Sequence, residues 1–205
     1  RPFPSTAQTS RLVREVDTKS LSASAGDDFS ALARPVSSGM SPGNNHPILV
    51  VSTGVKNRAP YAAFNLAAEV SKLGRRVLLV DAAAHDPLLT AMLLPEAAER
   101  PALDAPYAVE ALPCLHFAAI DGRGGHGVLR DAQDEKGEKF DCIVVDGGVA
   151  TKSRIHSGES HVFDEVFLMQ HEEDTGSVVI ALVSLEESGM EDIRLVRMTH
   201  SGLQY

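Results

Sequence analysis

"ILVVSTGVKNRAPYAAFNLAAEV", Ile48 to Val70, reads as strand, turn and helix. Its first residues, "ILVVS", are a short continuous apolar run, as expected of a strand buried on both faces. After Pro60 the apolar residues Ala63, Leu66, Ala67, Val70 and Leu73 fall at helical spacing. Pro60 suits a first helical turn and Gly74 a C-terminal cap. Nucleotide-binding proteins place a glycine-rich phosphate loop in such a setting. The turn here has one glycine, Gly54, together with Lys56, Asn57, Arg58 and a proline.

The same alternation continues on the C-terminal side. "RRVLLVD" (Arg75 to Asp81) is a second buried strand and "LLTAMLL" (Leu88 to Leu94) a short helix. "LHFAAI" (Leu115 to Ile120) is a strand, and "GVLRDAQDEKGEKF" a polar helix. "FDCIVVDGG" (Phe140 to Gly148) is another strand and "DEVFLMQ" (Asp164 to Gln170) the next. "TGSVVIALVSLEES" is a helix and "DIRLVRM" the last strand. Strands alternating with helices predict one α/β domain, a doubly wound, mainly parallel sheet with helices on both faces. Ligands of such sheets bind at the carboxyl ends of strands, where the turn after Ser52, Asp81 and Asp146 all fall.

Residues 1–46 are rich in Ser, Pro, Thr and Gly and are expected to form a flexible arm or linker before a domain spanning 47–205. Within the arm, "DDFSALARP" has the length of two helical turns, capped by Asp27 or Asp28 and stopped by Pro35.

The bulk numbers narrow the function. The chain has 205 residues and a net charge of -9, a balance that does not attract nucleic acid. Its densest basic triplet, "GRR" (Gly74 to Arg76), is read as a solvated turn. The 43% of hydrophobic residues suffices for a packed core, yet no run of about 18 apolar residues exists to span a membrane. No signal peptide is visible. The chain begins at Arg1 rather than Met, as a piece of a longer protein would, so the missing span says nothing of a parent chain. Two cysteines, Cys114 and Cys142, make no disulfide framework, and Cys142 in its apolar run is expected to be a buried thiol in a reducing compartment.

A working phosphate loop needs small residues around the phosphates, a Lys to neutralise charge and a Ser or Thr on Mg²⁺. "VVSTGVKNRAPYAAFNLA", "GRRVLLVDAAAHDPLL" and "FDCIVVDGGV" resemble the motifs of one family. It is the cytoplasmic domain of bacterial tyrosine autokinases and exopolysaccharide chain-length or export proteins, in the MinD/ParA-like branch of P-loop NTPases. Between these segments "LPCLHFAAIDGRGG" is similar to a further family segment, and the resemblance covers roughly residues 47–200.

This chain departs from the family at the chemistry. Anchored on "NLA" (Asn65 to Ala67), the catalytic Lys position falls on Ala59 and the Ser/Thr position on Pro60. The two loop glycines fall on Lys56 and Arg58, and the second carboxylate of the family's "DAD" falls on Ala83, leaving Asp81. Asp146 keeps its place, followed by Gly147 and Gly148 instead of prolines. Pro60 lacks an N–H to offer a phosphate, and side chains at the former glycines restrict close backbone approach. The remnant of the nucleotide site is therefore Thr53, Gly54, Lys56, Asn57, Arg58, Asp81 and Asp146, with no catalytic residue and no metal ligand assigned. The family's C-terminal tyrosine cluster is reduced to Tyr205, and the helix it uses in ring assembly has Ser30 and Ala33 where arginines would stand.

Two rival motifs are weaker. "GRGGHG" (Gly122 to Gly127) matches a dinucleotide fingerprint, but the helix after it is polar and interrupted by Gly137. "HSGESH", with His156, His161 and Glu159, lacks a third His or Cys and does not align both imidazoles on one helical face.

The resemblance, taken with these departures, implies a pseudo-enzyme, non-catalytic and without a cofactor. It would act in exopolysaccharide polymerisation or export through protein partners or self-association. It would lie in the cytoplasm and meet a membrane only through segments outside this chain. A divergent ATP- and Mg²⁺-using autokinase or ATPase stays open, as does a MinD/ParA-type positioning protein.

Overall fold

A computed structural model describes residues 13–16, 25–41, 44–54, 58–83, 86–94, 106–120, 140–153, 162–171 and 175–198. The expected helix over "GVLRDAQDEKGEKF", the "GRGGHG" and "HSGESH" motifs, Lys56, Asn57 and Tyr205 lie outside the described residues.

Among the described residues eight strands form one sheet in the order β1-β8-β7-β2-β6-β3-β5-β4. They are β1 (Val13–Val16), β2 (His46–Ser52), β3 (Val77–Asp81), β4 (Tyr107–Ala108), β5 (Leu115–Ala119), β6 (Cys142–Val149), β7 (Glu165–His171) and β8 (Ile193–Met198). Every pairing is parallel except β4 with β5. The helices among the described residues are α1 (Ala25–Gly39), α2 (Ala59–Lys72), α3 (Leu88–Leu93) and α4 (Thr175–Glu187), with a 3-10 turn at Ala150–Lys152. The doubly wound, mainly parallel α/β sheet expected from the sequence is the fold observed.

The two-residue period of a strand divides the core. Ile48, Val50, Val77, Leu79, Leu115, Phe117, Cys142, Val144, Phe167 and Met169 face one side, where they join α1 and α2. Leu49, Val51, Leu78, Val80, Ile143, Val145, Val166 and Leu168 face the other, where they join α4. The apolar runs are continuous because both faces are covered. Cys142 is buried as expected, and burial pushes its thiol well above the usual range, so it stays protonated.

Alanines bring α2 close to the sheet. Ala59, Ala62, Ala63, Ala67 and Ala68 are all buried, and the helix packs against α1 on one side and β2, β3 and β6 on the other. Gly74 ends it with φ +83°. A Cβ at Gly74 would meet nothing within 4 Å, so the backbone conformation alone calls for glycine there.

The structure corrects three expectations. Residues 25–39 are not part of a flexible arm: they form α1, and Phe29, Leu32, Ala33, Val36 and Met40 enter the main core. Pro35 does not stop this helix but lies inside it. Apolar contact along one stripe outweighs the roughly 3 kcal/mol that an interior proline costs. β1, also within the expected arm, pairs with β8 at the sheet edge. "GRR" is not a solvated turn either. Arg75 donates to Ser37 Oγ and to the Ser37 carbonyl, closing the last turn of α1, and Arg76 lies 5.6 Å over the Phe140 ring.

His46 opens β2 between two carboxylates, with Nδ1 2.9 Å from Asp164 and Nε2 3.1 Å from Glu165. Glu165 also pairs with Arg194 at 2.8 Å, and the Asp141 carbonyl accepts the His46 N–H. Hydrogen bonding to Glu165 raises the imidazole above its ordinary value of 6.5, against the opposing effect of burial.

Two predictions follow from this packing. Leu32→Ala should cost about 2–5 kcal/mol in urea unfolding; a solvated arm would show no loss. A raised folded-state histidine contributes stability that is full below its unfolded value and lost as pH climbs through the raised one. The wild-type urea midpoint should therefore fall from about pH 6.5 upward relative to that of His46→Gln.

Candidate functional site

The carboxyl ends of β2, β3 and β6 meet at one place on the α2 face. β3 and β6 are paired with Asp81 opposite Asp146, and β2 with β6 with Val50 opposite Asp146. Partners opposite each other in a parallel pair point to the same side. The two carboxylates therefore share the face that Val77, Leu79, Cys142 and Val144 define. Both are buried.

Their burial has to be compensated, and each carboxylate is compensated differently. Asp81 accepts three hydrogen bonds. The Ala83 N–H donates to Oδ1 at 3.1 Å, and Thr90 donates to Oδ2 through its N–H at 2.8 Å and its hydroxyl at 2.6 Å. Thr90 is the third residue of α3, whose N-cap residue, Pro87, offers no capping side chain. Asp81 thus does for α3, from a neighbouring strand, what an N-cap side chain does.

Among the described residues Asp146 has one donor, the Gly148 N–H at 2.9 Å to Oδ1. Its Oδ2 is buried and has no hydrogen-bond partner among the described residues. Burial pushes its carboxyl up to about 8, with the charges of Asp81 and Asp86 adding to the rise and the Gly148 bond opposing it. At neutral pH the carboxyl is mostly protonated.

The backbone around Asp146 explains its following glycines. The β2–β6 register runs from Val50 opposite Asp146 to Ser52 opposite Val149, so β6 carries an extra residue. Gly148 sits in this bulge at φ +70°. The Ser52 hydroxyl donates to the Gly148 carbonyl at 3.4 Å, tying β2 to the bulge.

The phosphate-loop positions are in part described. Thr53 is buried, and its N–H donates to the Met169 carbonyl of β7, which extends β2 by one residue. Gly54 is half-buried. Arg58 is the N-cap residue of α2, with no capping side-chain bond, and Ala59 and Pro60 begin the helix as buried residues. The structure thus brings Thr53, Asp81 and Asp146 to neighbouring strand ends with Arg58 at the helix start.

Sequence reasoning missed Thr90 and the Gly148 N–H. A hydroxyl in the first turn of a helix that lacks its own capping residue was the available signal for Thr90. Among the described residues no group of three or more His, Cys, Asp or Glu could hold a metal ion.

Asp146 predicts a measurable pH dependence. Its folded-state value lies above the ordinary 3.8, so its contribution to stability falls as pH rises from there to about 8 and is constant above. Asp146→Asn should remove this component, so the urea midpoint of wild type minus that of the variant should decline across this window. A flat difference would mean an ionised Asp146.

No family model matches the sequence, and no curated protein matches it. Solved structures do. The tyrosine kinase domain of BceF is 17% identical with a TM-score of 0.64, over 97% of this chain and 91% of that one. The kinase domain of VpsO is 15% identical with a TM-score of 0.65, over 88% of this chain and 93% of that one. The MinD cell division protein of Aquifex aeolicus is 19% identical with a TM-score of 0.56, over 74% of this chain and 68% of that one. At these identities the likeness is one of fold: the chain has the P-loop NTPase-like architecture of bacterial tyrosine kinase domains and MinD-like proteins, as its motifs imply.

Proposed function

We propose that the chain is a non-catalytic, kinase-like cytoplasmic domain that acts in exopolysaccharide polymerisation or export through protein contacts. The observation that carries this reading is the state of Asp81. A carboxylate has about four acceptor positions. Three at Asp81 are taken by Ala83 and Thr90, so the group holds α3 in place.

The other positions point the same way. A metal–nucleotide site needs an ionised carboxylate, a Lys on the phosphates and a hydroxyl on the metal. Asp146 is mostly neutral at pH 7, and buried Ala59 and Pro60 stand at the Lys and Ser/Thr positions. These residues do not fit ATP and Mg²⁺. The polysaccharide setting and its protein partners rest on the motif resemblance, supported by the shared fold of bacterial tyrosine kinase domains. No described helix is long and apolar enough to cross a membrane; membrane contact would come through segments outside this chain.

A divergent nucleotide binder is the second reading, and Arg58 at the N-cap of α2 favours it, since helix N-termini attract anions. Calorimetric titration with ATP and Mg²⁺ separates the two. The pseudo-enzyme should give no saturable heat at millimolar nucleotide and no tyrosine phosphorylation. Micromolar binding that is lost on Lys56→Ala or Arg58→Ala would establish the second reading instead.

A further inference from the structure

α4 is apolar on more than the side it buries. No residue from Thr175 to Leu185 is charged. Ala181, Leu182 and Leu185 pack into the core, as the fold requires. On the other side Val179 is 57% and Ile180 62% exposed, with Val183 half-buried beside them. Spacings of three and four residues put these side chains in one stripe.

The stripe ends in unpaired negative charge. Glu186 and Glu187 lie in the last turn, and Glu191 and Asp192 follow it. None of the four carboxylates has an ion-pair partner among the described residues. The last turn has no basic residue, although the negative end of a helix dipole favours one. A Schellman closure fixes this end: the Gly189 N–H donates to the Glu186 carbonyl and the Met190 N–H to that of Leu185, with Leu185 and Met190 buried together. The acids are thus held beside the apolar stripe.

We infer that α4 docks an amphipathic helix of a partner protein, its apolar face on Val179, Ile180 and Val183 and its Lys or Arg residues against Glu186, Glu187, Glu191 and Asp192. Charge argues against a second copy. Paired in parallel, two α4 helices would bring these acids together, and a net charge of -9 opposes the approach of two copies in any orientation. A net charge of -9 and the acidic end likewise oppose an anionic bilayer. The inference gives the protein-contact reading a surface and rests on that reading. Nucleotide titration tests the reading and peptide binding tests the surface, so either can fail alone.

The probes are two labelled amphipathic helical peptides with leucines at helical spacing, one ending in lysines and its twin in glutamates. The lysine peptide should bind at least about tenfold more tightly by fluorescence anisotropy, with the difference shrinking in high salt. Ile180→Asp should abolish binding and leave the urea midpoint unchanged, because Ile180 is mostly exposed. The double variant Glu186→Lys, Glu187→Lys should reverse the preference to the glutamate peptide. The inference is overturned if neither peptide binds, if Ile180→Asp has no effect, or if the preference survives charge reversal. A dimer in sedimentation, or binding to anionic vesicles, that Ile180→Asp removes would assign the stripe to a second copy or a lipid surface and overturn it too.

Discussion

The pairing of β3 with β6 sets two aspartates side by side, Asp81 opposite Asp146, on a buried face of the sheet. Two carboxylates in a low-dielectric interior cannot both stay charged and unpaired. One resolution is donors and the other is a proton. Asp81 takes the donors, and in doing so fixes where α3 starts. Asp146 keeps one donor from the β6 bulge and takes the proton. The bulge, the position of α3 and the charge state of the strand ends are therefore linked, and a change at one carboxylate is felt by the other.

That linkage explains how much of the site was legible. Asp81 and Asp146 each ended an apolar run, so their place at carboxyl strand ends was readable from the sequence. That they stand opposite each other depends on register, which apolar runs do not encode when both faces are buried. Their partners were invisible for different reasons. Thr90 is nine residues from Asp81 and belongs to another element. The Gly148 N–H is a backbone group, and only the glycine at its positive φ hinted at a bulge.

The strands and α2 were legible because continuous apolar runs and helical spacing are local signals. α1 was not, and composition is the reason. Ser, Pro and Gly dominate residues 1–46, yet Phe29, Leu32, Ala33, Val36 and Met40 keep helical spacing through Pro35. Period was the better guide there than composition. "GRR" failed for another reason: the partners of Arg75 and Arg76, Ser37 and Phe140, are remote in sequence. A basic pair with no charged neighbour looks solvated until the fold supplies a carbonyl and a ring.

The distribution of satisfied and unsatisfied charge locates where this fold can meet something else. At the carboxyl end of the sheet, three hydrogen bonds engage Asp81 and Asp146 is mostly neutral, so these strand ends present little negative charge to a metal. At the amino end, His46, Asp164, Glu165 and Arg194 satisfy one another. On the opposite face of the sheet α4 shows the reverse: exposed Val179 and Ile180 beside four carboxylates with no ion-pair partner among the described residues. An apolar stripe is favourable to cover, and unpaired acids select what covers it. Exposed apolar surface beside unpaired acids therefore lies on α4, across the sheet from the strand ends that hold Asp81 and Asp146.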